Sequence, residues 1–161
     1  MRRALLLQVL ASLGLGMAAG SAAATACSVS VSVMPFGIYD TVAAAANDTS
    51  ASVQVSCAPG VSDPLATAYV LTIAGTGSGS DSVRSVSAGA YRLYFQVYRD
   101  GARSTVWGNG GSSGPGVASS VTAAAALTLA LRVHTAYARM PALQTVPPGL
   151  YAGSLMVTVE Y

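Results

Sequence analysis

Beyond residue 26 the chain is dominated by alternation of apolar and polar positions at period two, the signature of half-buried β-strands. In Cys27-Ser-Val-Ser-Val-Ser-Val-Met34, Val29, Val31 and Val33 point one way and Ser28, Ser30 and Ser32 the other. Pro35 interrupts this strand, and Phe36-Gly37-Ile38-Tyr39 resumes an extended course. Thr41 to Asp48 reads as a loop, because its alanine run at 43–46 is too short to hold a helix alone. A second strand puts Ala51, Val53, Val55 and Cys57 on one face and stops at Ala58-Pro59-Gly60. Residues 68–74 form a third. In the fourth, Tyr91, Leu93, Phe95 and Val97 alternate with Arg92, Tyr94, Gln96 and Tyr98. Arg99-Asp100-Gly101-Ala102 then predicts a hairpin turn, with Asp-Gly supplying the positive φ, and 104–107 a short return strand. Gly108 to Gly116 is a Gly/Ser-rich loop, and residues 123–126 have helical propensity. Leu127, Leu129, Leu131 and Val133 return to period two, Pro141, Pro147 and Pro148 exclude a long helix after them, and Leu155, Val157, Val159 and Tyr161 share the face of a last strand. About seven strands at hairpin-like spacing predict an all-β fold, an antiparallel sandwich.

The first 26 residues follow a different pattern. Met1-Arg2-Arg3 is a short positive start, Ala4 to Gly20 is almost wholly apolar, and Ala24-Thr25-Ala26 offers small residues at −3 and −1 of a cut before Cys27. That layout predicts a secretory signal peptide over 1–26 and a mature domain over 27–161. The arginine pair has too little polar sequence around it to argue for twin-arginine export, so the ordinary secretory route is expected. No second apolar run follows that would hold the chain in a membrane.

Composition sharpens this picture. All eight basic residues are Arg; with Arg2 and Arg3 gone, six face six acidic residues, and the mature chain is formally neutral. Charged residues make up only 9%, so nothing favours capture of nucleic acid or anionic lipid. A weakly charged surface resists association poorly, which suits a protein meant to assemble. Two exported cysteines, Cys27 and Cys57, make a disulfide the default. Lipidation of Cys27 is the alternative, but Ala24 stands where lipidation sites usually carry Leu, and Cys57 would be left alone.

Candidate chemistry is sparse. There is no Cys-x-x-Cys, and the single His134 has no partner at metal-ligand spacing. Serines are many, but no Gly-x-Ser-x-Gly elbow is present, and the carboxylates are scattered. Gly75-Thr-Gly-Ser-Gly79 lacks the following Lys-Ser/Thr of a phosphate-binding loop. Tyr94 and Tyr98 suit cross-strand packing better than a sugar-binding stripe. The expectation is no enzyme and no cofactor.

Taken in order, the motifs resemble the spore coat protein U domain family, which includes subunits of archaic chaperone–usher pili. The carriers are Cys27 at the mature start, Phe36-Gly37-x-Tyr39, Val53-x-Val55-x-Cys57, Tyr94-x-x-x-Tyr98-Arg99-Asp100, Trp107-Gly108, and Gly149-x-Tyr151 leading to Val157-Thr158-Val159-Glu160-Tyr161. The chain departs from the family at Leu131-Arg132, where Gly-Arg is common, and at Gly153, where Asp is common.

The resemblance implies an immunoglobulin-like sandwich that lacks its last strand. It implies a groove filled first by a periplasmic chaperone and then by a strand from the next subunit, with an outer-membrane usher guiding assembly. The residues expected to line that groove are Val29, Val31, Val33, Leu155, Val157, Val159 and Tyr161, with Cys27 and Cys57 clipping it. The expected role is a structural subunit of a surface fibre or coat, in adhesion or biofilm formation, exported through the periplasm to the cell surface. Family shaft subunits carry a donor strand before the first Cys; here Cys27 abuts the signal, which predicts a tip or terminal subunit. The alternative is a free secreted or lipid-anchored sandwich that binds glycan or protein.

Overall fold

The computed structural model describes residues 23–75, 83–111 and 113–161. The expected signal peptide, apart from its last four residues, and residues 76–79 of the glycine loop lie outside them. The described residues form eight strands: β1 (Ala26–Val31), β2 (Asn47–Ala58), β3 (Ala66–Gly75), β4 (Arg84–Ala88), β5 (Tyr91–Tyr98), β6 (Val117–Thr122), β7 (Ala130–Met140) and β8 (Leu155–Glu160). These make two sheets of antiparallel pairs, in the orders β1-β2-β7-β5-β4 and β6-β3-β8. The architecture is the expected antiparallel, immunoglobulin-like sandwich.

The alternating residues place the core between the sheets. Ala51, Val53, Val55 and Cys57 of β2 are all buried, as are Leu71 and Ile73 of β3 and Leu93, Phe95 and Val97 of β5. Trp107 is the largest fully buried side chain, and its indole N–H donates to the Leu71 carbonyl at 3.0 Å, so its one polar atom is satisfied. Each fully buried Val or Leu contributes about 1.5–3 kcal/mol.

Several expectations change in detail. β4 and β6 were hidden by their sequences, Arg-Ser-Val-Ser-Ala and Val-Ala-Ser-Ser-Val-Thr, in which serines dilute the apolar alternation. The return strand over 104–107 reduces to one bridge, Tyr98 with Val106. The 99–105 turn is built by Asp100, whose carboxylate accepts from the Ser104 and Thr105 N–H groups at 3.0 and 2.7 Å, and the positive φ falls on Arg103. Residues 123–126 form no helix; they belong to a turn that ends at Leu127 with φ 61°.

In β7 the apolar residues of the alternation lie on the outer face. Leu131 and Val133 face outward, each 58% exposed, while Ala130, Ala136, Ala138 and Met140 face the core. The interior beside the first half of β7 is taken by Trp107 and Tyr69, whose rings lie 6.3 and 5.9 Å from that of His134. His134 is the β7 side chain that packs against both rings. At the other end Pro141 stops the ladder, having no N–H to give. Gln144 replaces the missing partner: its side-chain oxygen accepts from the Tyr94 N–H at 2.7 Å, and its amide donates to the Tyr94 carbonyl at 2.9 Å.

Candidate functional site

β1 is an edge strand, paired only with β2, and β8 is an edge strand of the other sheet, paired only with β3, among the described residues. The direction of their backbone groups follows from the bonds already made. Ser32 N–H donates to the Ser52 carbonyl. In an antiparallel ladder the two groups of a residue point the same way and alternate along the strand. Ser28 and Ser30 therefore bond β2, and Cys27, Val29 and Val31 turn their N–H and C=O groups outward. The Cys27–Cys57 disulfide joins one such non-bonded pair, with Cα atoms 4.1 Å apart. A disulfide sulfur is not available for a lipid.

The same argument applies to β8. On β3, Ile73 N–H donates to the Gly108 carbonyl and the Leu71 carbonyl accepts from Trp107, both on the side away from β8. Val70, Thr72 and Ala74 thus bond Glu160, Thr158 and Met156. Leu155, Val157 and Val159 are left with outward backbone groups, and their side chains pack half-buried against the core. On both edges, the residues with unpaired backbone are also those with inward apolar side chains.

Between the edges lies a cavity of about 380 Å³. Val29, Val31, Val33, Leu155 and Val157 line it, with Val53, Ile73 and Phe95 among the residues below. Val31 is 49% exposed and Val33, just past the end of β1, 83%. The structure thus brings five of the seven expected groove residues together. Val159 packs on the core outside the cavity lining, and Tyr161 lies past the end of β8, exposed. Sequence reasoning missed Phe36, Val86 and Gly153, which also line it. Phe36 carried a signal, its place in the extended segment after Pro35; Val86 sits on the strand that the alternation hid.

The slot does not stop at β8. A larger cleft of about 910 Å³ continues it between residues 34–41 and 146–153, sharing Met34, Phe36, Val86 and Gly153 with it. Tyr39 fixes one wall, donating its hydroxyl to the Pro141 carbonyl at 2.7 Å and accepting from the Gln144 N–H at 2.8 Å.

The opposite side of the sandwich is tied across by polar contacts. Arg132 donates to the Ser120 carbonyl on β6 at 3.2 Å, and the Tyr69 hydroxyl lies 2.8 Å from His134 Nε2. Burial, and then the nearby Arg132 charge, push the His134 imidazole below its ordinary pKa, so it stands neutral as a structural partner of Tyr69. Tyr98 stands opposite Tyr137 across β5 and β7, whereas Tyr94 stands opposite Ser85 and is 47% exposed. Among the described residues no group of three His, Cys, Asp or Glu could hold a metal ion, and no helix is long and apolar enough to cross a membrane.

The sequence model of the Spore Coat Protein U domain matches residues 15–158. Among solved structures, the chain is similar to one in the CsuC–CsuE chaperone–tip adhesion subunit pre-assembly complex of archaic chaperone-usher Csu pili of Acinetobacter baumannii. The TM-score is 0.54 at 16% identity, over 85% of this chain and 40% of that one. A chain of a chaperone–tip adhesin complex of CFA/I fimbriae biogenesis aligns at TM-score 0.40 and 13% identity, over 71% of this chain and 34% of that one. The chain therefore spans less than half the length of these matched chains. No curated protein sequence matches it.

Proposed function

This chain belongs to the spore coat protein U domain family, and from that premise we propose that it is an exported structural subunit of a bacterial surface fibre. It accepts a β-strand from a neighbouring protein into the slot between β1 and β8. The observation that carries this reading is the coincidence on both walls of unpaired backbone groups with inward apolar side chains. An incoming strand of alternating pattern satisfies both at once, as strand addition requires. A periplasmic chaperone fills the slot during transit and a second subunit fills it in the fibre, with an outer-membrane usher between the two stages. The chaperone–tip subunit complex of Csu pili that holds a similar chain supports chaperone and subunit as the partner classes. Cutting the export signal beside Cys27 leaves too short a lead to donate a strand, so the subunit occupies the tip or an end of the fibre.

Co-expression with the chaperone of a chaperone–usher system from the same genome tests this. The exported protein alone should be poorly soluble and should form a stoichiometric complex with the chaperone. Val31→Asp, at a half-exposed position in the slot, should abolish the complex, while Leu131→Asp on the outer face should leave it intact. A soluble, stable monomer that binds no chaperone would sink the proposal.

A further inference from the structure

We propose that export processing hydrolyses the Ala24–Thr25 bond, so that the mature protein begins at Thr25 and its terminal ammonium is held by the Asp63 carboxylate. The expectation of a cut before Cys27 rests on small residues at −1 and −3, and Ala24 with Ala22 meets that rule as well as Ala26 with Ala24. The fold separates the two. Thr25 N–H donates to Asp63 Oδ2 at 2.8 Å, and the Thr25 hydroxyl donates to the same oxygen at 2.5 Å. Gly60 N–H adds a third, longer contact at 3.3 Å. Asp63 is held in place by the turn it closes, its own N–H donating to the Gly60 carbonyl. The hydroxyl of Thr25, then its N–H, draw the Asp63 carboxyl below the usual carboxylate range.

A cut after Ala26 would remove both Thr25 donors and also Ala26, the first rung of the β1–β2 ladder opposite Ala58. A cut after Ala24 keeps that rung. Water adds across the peptide bond, Ala24 leaves with the signal as a carboxylate, and the Thr25 nitrogen becomes an ammonium. A neutral amide donor is thereby replaced by a charged one on the same acceptor, a shorter and stronger bond. The end of a chain normally frays. Here the clamp fixes it just ahead of the disulfide, on a strand with a single sheet partner.

The full-length chain, expressed with its own leader and recovered from the periplasm, is measured by intact mass. A mass that begins at Thr25 supports the proposal; any other start, Ala23, Ala24 and Cys27 included, or an uncut chain, overturns it. Thermal melts give the second readout. Asp63→Asn should lower the Tm of the exported protein by a few degrees, and should have no effect in a form produced to begin at Cys27. Equal losses in the two forms would overturn the clamp.

Discussion

Fusing a strand to the end of the chain should close the slot and stabilise the domain. The perturbation is a flexible linker after Tyr161 followed by about seven residues of alternating apolar and Ser/Thr character, a strand of ordinary length. Leu155, Val157 and Val159 each offer one N–H and one C=O, and bonds to these groups are worth about 1 kcal/mol apiece, roughly 6 in all. Burying three new Val or Ile side chains over Val31, Phe36 and Ile73 adds about 5–8 kcal/mol. Ordering seven residues costs about 1–2 kcal/mol each. The midpoints of these ranges leave a gain of about 2 kcal/mol, or a Tm higher by roughly 6 °C for a domain of this size. Hydrogen exchange reads the mechanism residue by residue. In the unfused protein the Met156, Thr158 and Glu160 amides should be protected and those of Leu155, Val157 and Val159 should exchange fast. In the fused protein all six should be slow. Protection of the second trio before fusion would show that the edge is not free and would refute the reasoning.

Three further outcomes follow from particular contacts. Replacing both Cys27 and Cys57 by Ala frees a 30-residue separation, which should cost about 3–4 kcal/mol in the chain-entropy model; urea unfolding measures the loss, and β1 amides should become the least protected in the sandwich. Gln144→Ala leaves the Tyr94 N–H and C=O to water, an expected loss of about 1 kcal/mol; unchanged urea midpoints would show that solvent replaces the side chain fully. Because His134 titrates below its unfolded value in the folded protein, its contribution should be fully present above pH about 6.5 and should fade as pH falls through the lower folded pKa. Urea midpoints of the wild type and His134→Gln across that range isolate it, since Asp48, Asp63 and Asp100, all held low by their hydrogen bonds, lose stability only at more acid pH.

Strands whose alternation is carried by Val, Leu and Phe were legible from residues alone. β2 and β5 show this, with Val53, Val55, Leu93, Phe95 and Val97 all in the core. β4 and β6 were not legible, because short serine-rich strands owe their place to partners distant in sequence, which a local pattern cannot supply. β7 was legible as a strand but not in its facing. Leu131 and Val133 carry its stronger hydrophobic signal, yet its alanines are buried. Period two fixes which residues share a face but not which face turns inward; here the register with β2 decides, setting His134 and Ala136 opposite the buried Val53 and Ala51. Similarly, the turn after β5 was visible as Asp-Gly, but the Asp100 side chain rather than the glycine organises it.

For the slot, the side-chain pattern was legible in the sequence and the backbone phase was not. Alternating valines at 29, 31 and 33 and at 157 and 159 say only that two strands have apolar faces. That these strands are edges, that the edges face each other, and that apolar side chains and unpaired backbone fall in the same phase are facts of register. Soluble proteins blunt open edges with charge, short length or a covering segment. This molecule does so elsewhere: Ala152 bridges Ser87 on β4, and the Arg132 guanidinium reaches the β6 backbone. Between β1 and β8 no segment among the described residues covers the edges, and valines and a leucine stand there where Ser or Arg would have kept water in contact. An edge left open on one side of a sandwich that guards its others is the feature on which the proposed acceptance of a strand rests.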